Sequence, residues 1–212
     1  MKIEIWSDVM CPFCYIGKRK FETALEGFEH KDKVEVVWKS FQLNPDMKTE
    51  PGKNINQYLA EIKGWSLEQA EKINKQVTET AKAAGLNYNF DKAVIANSFD
   101  AHRLIQLAKK NNRGDAAEER LFKAYFTEGK NIADAEILVH LGIDIGLDAT
   151  DVKTMLAGQD YTDEVKKDIY EAQQVGVRGV PFFVIDRKYA VSGAQESAVF
   201  TQALNKAWAE KV

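Results

Sequence analysis

At 212 residues, with 45% hydrophobic and 29% charged side chains, the chain is long enough to bury the core of one generous domain or two small ones. A net charge of −3 offers no electrostatic attraction for nucleic acid or an anionic membrane. The longest apolar runs, such as Val180 to Ile185, fall far short of a membrane span.

Lys2-Ile3-Glu4-Ile5-Trp6-Ser7 reads as a short strand. Nothing near Met1 resembles a signal peptide, because this strand and a pair of cysteines close behind it occupy the place of its charged and apolar regions. If Met1 is the natural start, the expected compartment is the cytoplasm, where a disulfide is transient and catalytic more often than structural. The chain's only two cysteines stand in Cys11-Pro12-Phe13-Cys14, at the hand-over to a helix with Phe21, Leu25 and Phe28 on one face. A helix N-terminus presents unpaired N–H groups and a positive dipole end, both of which favour a thiolate. The thiolate is the species that attacks disulfides. A structural disulfide this short would remove little chain entropy. Half of a zinc site is the competing reading, but zinc takes four ligands and His30, His102 and His140 show no paired spacing. The pair therefore reads as a dithiol/disulfide redox centre, with no metal expected.

Val34 to Phe41, rich in β-branched and aromatic residues, is a second strand, stopped by Asn44-Pro45-Asp46. With one helix between them, the two strands form a right-handed βαβ unit with a parallel pair. From about Asn54 to Gln174 the pattern is helical. Ser66 with Gln69 marks one start, running to Gly85, and Asn97 or Ser98 caps the next. Ala116 to Phe126, Ala135 to Leu141, Asp148 or Thr150 to Leu156, and Thr162 to Gln174 complete a helical bundle. Phe182-Phe183-Val184-Ile185, a turn at Asp186-Arg187-Lys188, and Tyr189-Ala190-Val191 make a hairpin. A final helix runs from Gln195, so the order is βαβ, helical insertion, ββα.

Cys-x-x-Cys opening the first helix, with Gly179-Val180-Pro181 before a hairpin and terminal helix, resembles the thioredoxin fold, and the long insertion resembles its DsbA-like branch. Residues 5–17, Phe41-Gln42-Leu43-Asn44-Pro45 and Asn97-Ser98-Phe99-Asp100-Ala101-His102-Arg103 together are similar to the cytosolic FrnE-like subgroup. The resemblance implies an α/β, thioredoxin-like domain (1–43 and 176–212) interrupted by an all-helical insertion (44–175). It also implies disulfide exchange with protein or small-molecule thiols. No bound cofactor is expected; glutathione fits as a substrate or reductant.

Within that resemblance Cys11, at the helix edge, is the expected nucleophile and Cys14, inside the first turn, the resolving thiol. Pro12 suits the first turn, where its missing N–H costs nothing; Pro12 and Phe13 tune the pair without performing chemistry. Pro181 is expected to be cis and to stand beside the cysteines, leaving the backbone groups of Val180 free to pair with an extended substrate. Best-known DsbA proteins carry histidine where this chain has Phe13, so a milder oxidant is expected. Some FrnE-like proteins also carry a second cysteine pair, which this chain lacks. His102 has two readings: a helix histidine satisfied by a neighbouring carbonyl, or a proton-transfer group on an insertion face overlooking Cys11. Glu4 and Asp8 read as ordinary strand and loop residues, although a buried carboxylate near Cys14 could accept its proton. Two other functions remain open. One is a glutathione-dependent isomerase or transferase of the hydroxychromene-carboxylate or kappa type, whose members usually have serine in the place of Cys11. The other is a redox-regulated binding or chaperone module.

Overall fold

The computed structural model describes residues 1–210. In chain order its elements are β1 (Lys2–Ser7), α1 (Pro12–Glu26), β2 (Glu35–Ser40), α2 (Ile55–Lys63), α3 (Leu67–Ala83), α4 (Phe99–Lys110), α5 (Gly114–Phe122), α6 (Ala135–Asp144), α7 (Ala149–Ala157), α8 (Thr162–Val175), β3 (Phe182–Ile185), β4 (Tyr189–Ser192) and α9 (Ser197–Ala209). They form two compact units, Met1–Leu43 with Glu164–Val212, and Asn44–Asp163.

The first unit is built on a four-stranded sheet of order β2-β1-β3-β4. β1 and β2 are parallel, in register from Lys2 opposite Glu35 to Ser7 opposite Ser40, while β3 is antiparallel to both β1 and β4. Alternation along each strand separates two cores. On one face Ile3 and Ile5 join Phe183, Ile185 and Val191 against Phe21, Ala24 and Phe28 of α1 and Phe200, Leu204 and Ala207 of α9. On the other, Trp6 and Val184 pack with Ala172 and Val177.

The sequence pattern assigns α8 to the insertion and sets the boundary at 175. Its contacts place it with the sheet instead. Trp6 Nε1 donates to the Asp168 carbonyl at 3.0 Å, and the Asp168 carboxylate accepts the Ser40 N–H at 3.1 Å and Lys39 Nζ at 2.9 Å. The helix covers the Trp6 face of the sheet, which would otherwise be left apolar and open.

The second unit carries α2 to α7. Ser66 and Gln69 form a reciprocal capping box on α3, and Asn54, Asp134 and Asp148 cap α2, α6 and α7 with their side chains. Ser98 holds the cap position of α4, but the oxygen that reaches Phe99 N, at 2.9 Å, is that of Asn97. Arg103 is buried and donates to the carbonyls of Asp160 and Gly158, each at 2.8 Å, and to that of Met155. α4 is thereby tied to the end of α7. Among the described residues no helix is long and apolar enough to cross a membrane.

Candidate active site

The turn after β1 is braced by a buried carboxylate. Asp8 Oδ2 accepts the Leu43 N–H at 2.8 Å and Oδ1 that of Met10 at 3.3 Å, while its carbonyl receives the Cys11 N–H at 2.9 Å. Cys11 is consequently the N-cap residue of α1, extended at φ −87° and ψ 112°, and Pro12 opens the helix. Cys14 N–H closes the first turn onto the Cys11 carbonyl at 3.0 Å. The first turn of α1 carries no acidic residue, so no carboxylate on the helix itself opposes the positive dipole end beneath the Cys11 sulfur.

Both cysteines are free thiols and buried, Cys11 at 4% exposure and Cys14 at 1%. Burial, then the hydrogen bond and charge of Cys11, push the Cys14 thiol well up; the Asp8 backbone and the Ser7 hydroxyl act in the opposite direction. The Val180–Pro181 bond is cis, as the resemblance implies. The Cys11 thiol donates to the Val180 carbonyl at 3.5 Å, and that oxygen keeps a second lone pair for a further donor. Behind it the Pro181 carbonyl accepts the Gly193 N–H at 2.8 Å, which closes the loop onto the hairpin.

Pro12 is half-buried and Phe13, between the two cysteines in the chain, stands out at 45% exposure, an apolar contact surface at the site. His102 belongs to the helical unit, on α4, where it is fully buried beside Ala101, Leu104 and Ile105. Glu4 lies on the opposite sheet face from Ile3 and Ile5 and pairs with Arg187, Nη2 to Oε1 at 2.6 Å. Both Asp8 oxygens serve the turn. Among the described residues no three of His, Cys, Asp and Glu gather closely enough to hold a metal ion.

Two residues near the sulfurs escape sequence reasoning. Gly17 lies in α1 about one turn on from Cys14, and a Cβ there would stand 2.9 Å from Pro181 Cγ. Its signal is present in the sequence: an isolated glycine inside a helical pattern marks a close approach. Ser7 ends β1 in the row of Ile3 and Ile5, fully buried. A single hydroxyl at a strand end carries no comparable signal.

A cysteine pair capping the helix after the first strand, against a cis-proline loop leading into a β2-β1-β3-β4 sheet, defines the thioredoxin fold class. The DSBA-like thioredoxin domain family matches residues 2–205, and the chain belongs to it. Uncharacterized protein YwbO of Bacillus subtilis (strain 168) is 31% identical over 211 residues, covering 96% of this chain and 95% of that protein. The crystal structure of a probable DsbA oxidoreductase, SCO1869 from Streptomyces coelicolor, is 43% identical with a TM-score of 0.94, covering 100% of this chain and 92% of that one. The cytosolic disulfide reductase DsbM from Pseudomonas aeruginosa shares the fold at 16% identity and a TM-score of 0.70, with 99% of each chain covered. A 2-hydroxychromene-2-carboxylate isomerase does so at 13% and 0.71, covering 97% of this chain and 95% of that one. Membership supports an enzyme of the thiol–disulfide type.

Proposed function

We propose that this protein is a thiol–disulfide oxidoreductase cycling between a Cys11, Cys14 dithiol and a Cys11–Cys14 disulfide. The observation that carries the reading is the position of Cys11: N-cap of α1, its sulfur against the carbonyl that precedes cis-Pro181. The N-terminus of α1 lies at that sulfur, and the Val180 carbonyl keeps a lone pair to accept from an extended substrate. The Cys11 thiolate attacks a substrate disulfide, and Cys14 resolves the mixed disulfide. The exposed ring of Phe13 gives substrates an apolar contact beside the sulfur. The substrates are protein or small-molecule thiols and disulfides, with glutathione serving as substrate or reductant and no bound cofactor. The FrnE-like resemblance and the fold shared with a cytosolic reductase support a cytoplasmic enzyme.

Trapping tests this directly. Cys14→Ser accumulates a covalent mixed disulfide through Cys11, and Cys11→Ser does not. Insulin reduction or thiol oxidation retained in both variants overturns the reading. Isomerase activity with added glutathione that survives Cys14→Ser would favour the glutathione-dependent alternative, and holdase activity in the double serine variant a binding module.

A further inference from the structure

Alternation along β1 turns Ile3, Ile5 and Ser7 toward α1. Ile3 and Ile5 pack against Phe21, Ala24 and Phe28 of that helix, and the third position of the same row carries a hydroxyl. Ser7 is fully buried, and among the described residues its Oγ makes no hydrogen bond of ordinary geometry. An orphaned hydroxyl in an apolar row destabilises the fold relative to alanine or valine, so the position asks for another explanation. Cys14, in the first turn of the helix that this row faces, provides one.

Ser7 and the Asp8 backbone N–H are the groups that favour a thiolate at Cys14. Against them stand burial and two effects of Cys11, its hydrogen bond and its charge. Both effects of Cys11 vanish when its sulfur is bonded to a substrate sulfur, since it then carries neither a proton nor a charge. The other carboxylates of the region do not take over. Asp8 holds Met10 and Leu43 through its oxygens, and Glu4 faces the other side of the sheet.

We propose that the Ser7 hydroxyl donates a hydrogen bond to the Cys14 thiolate as it forms in the resolving step. The inference rests on the oxidoreductase reading above. In that step the Cys14 thiolate attacks the Cys11 sulfur of the mixed disulfide. The Cys11–Cys14 bond forms, the bond from Cys11 to the substrate sulfur breaks, and the substrate leaves as a thiolate. The proton shed by Cys14 passes through solvent to the departing thiolate. Over the cycle the dithiol is oxidised by two electrons and the substrate disulfide reduced by two. In the opposite direction the same hydroxyl stabilises Cys14 as the leaving thiolate, so the role holds for oxidase and reductase alike.

Two measurements test it. Reduced protein mixed with oxidised glutathione gives a bimolecular attack phase at Cys11 and a first-order closure phase that releases glutathione. Ser7→Ala should slow closure about tenfold, equivalent to about 1.4 kcal/mol, with attack unchanged and the thermal midpoint not lowered. Ser7→Thr should recover most of the rate, and the isosteric Ser7→Val should not. Equal closure in parent and Ser7→Ala overturns the proposal, as does a slowing shared equally by attack. In a Cys11→Ala background, the thiolate absorbance of Cys14 reports its titration without turnover. There Ser7→Ala should raise the midpoint by about one unit, and an unchanged midpoint overturns the proposal. A parent that forms no mixed disulfide at Cys11 sinks the oxidoreductase reading instead, while the titration still decides what Ser7 does.

Discussion

The ring of Pro181 is seated directly on Gly17: a Cβ at Gly17 would lie 2.9 Å from Pro181 Cγ and 3.5 Å from the Ala194 backbone. The ring cannot swing aside as a long side chain would, so any larger residue displaces the loop whose Val180 carbonyl meets Cys11. Gly17→Ala gains about 1 kcal/mol of helix propensity and loses a comparable amount to the clash. Stability should therefore change little. Activity should not escape, because displacements of well under 1 Å at reacting groups cost rate. Insulin reduction should fall on the order of tenfold while the thermal midpoint holds within a few degrees; parental activity would show that the loop tolerates displacement.

How much of the fold and the site is legible in the sequence depends on the range of each signal. The β1 strand, the Cys-x-x-Cys turn and the hairpin at Asp186-Arg187 are local patterns. In the hairpin Asp186 and Arg187 take positive φ, 46° and 56°, as the two central residues of a type I′ turn do. The caps at Ser66 and Asp148 are legible for the same reason. Where periodicity alone is the guide, detail is lost. Ala116 to Phe126 reads as one helix, yet α5 ends at Phe122 and a π-helical turn, Lys123–Thr127, comes after it. One extra residue per turn barely disturbs a pattern of period 3.6. The placement of α8 depends on partners more than 120 residues away, Lys39 with Asp168 among them, and no local pattern reports that. Ser7 is hidden for a different reason: its neighbour Cys14 is near in sequence, but only the pairing of strand face with helix turn reveals it.

The Trp6 side of the sheet also carries an ion network that makes stability depend on pH. Glu171 receives Lys39 at 2.8 Å and Arg187 at 2.5 Å. Burial pushes its carboxyl up, but the hydrogen bonds from Lys39 and Arg187 outweigh that and hold it at about 2. In the unfolded chain it titrates near the ordinary glutamate value, about 4.3. Between these values the unfolded state binds more protons, so stability rises with pH there. The contribution is complete above about pH 5 and is lost as pH falls toward 2. Arg187 is half-exposed, so solvent screening reduces it to about 1–2 kcal/mol. Urea unfolding of parent and Glu171→Gln should differ by that amount at pH 7 and converge near pH 2; a constant gap across this range would refute the assignment.

Asp8 should behave as a structural brace and not as a proton acceptor for Cys14. Asp8→Ala leaves the N–H groups of Met10 and Leu43 without their acceptors and should cost about 2–3 kcal/mol. Asp8→Asn keeps one oxygen and should cost about half as much. Closure of the Cys11–Cys14 disulfide should track the loss of order in the turn, so Asn should be closer to the parent than Ala in both stability and rate. A resolving step abolished in Asp8→Asn with stability intact would instead make the carboxylate a base. Urea unfolding and the closure rate, measured on the same preparations, separate the two.

Phe13 bears on the direction of electron flow. Its ring is exposed and supplies no donor to a thiolate, whereas an imidazole at the same position can donate a hydrogen bond and, when protonated, a positive charge. Stabilising the Cys11 thiolate stabilises the dithiol form relative to the disulfide and makes the protein a stronger oxidant. Phe13→His should therefore raise the Cys11–Cys14 potential, by about 30 mV if the new hydrogen bond contributes about 1.4 kcal/mol. Because the side chain is exposed, overall stability should change by less than about 0.5 kcal/mol. Equilibration with glutathione at fixed pH, read by thiol trapping, gives the potential of both proteins. An unchanged or more reducing value in Phe13→His would mean that the residue between the cysteines does not set the oxidising power of this site.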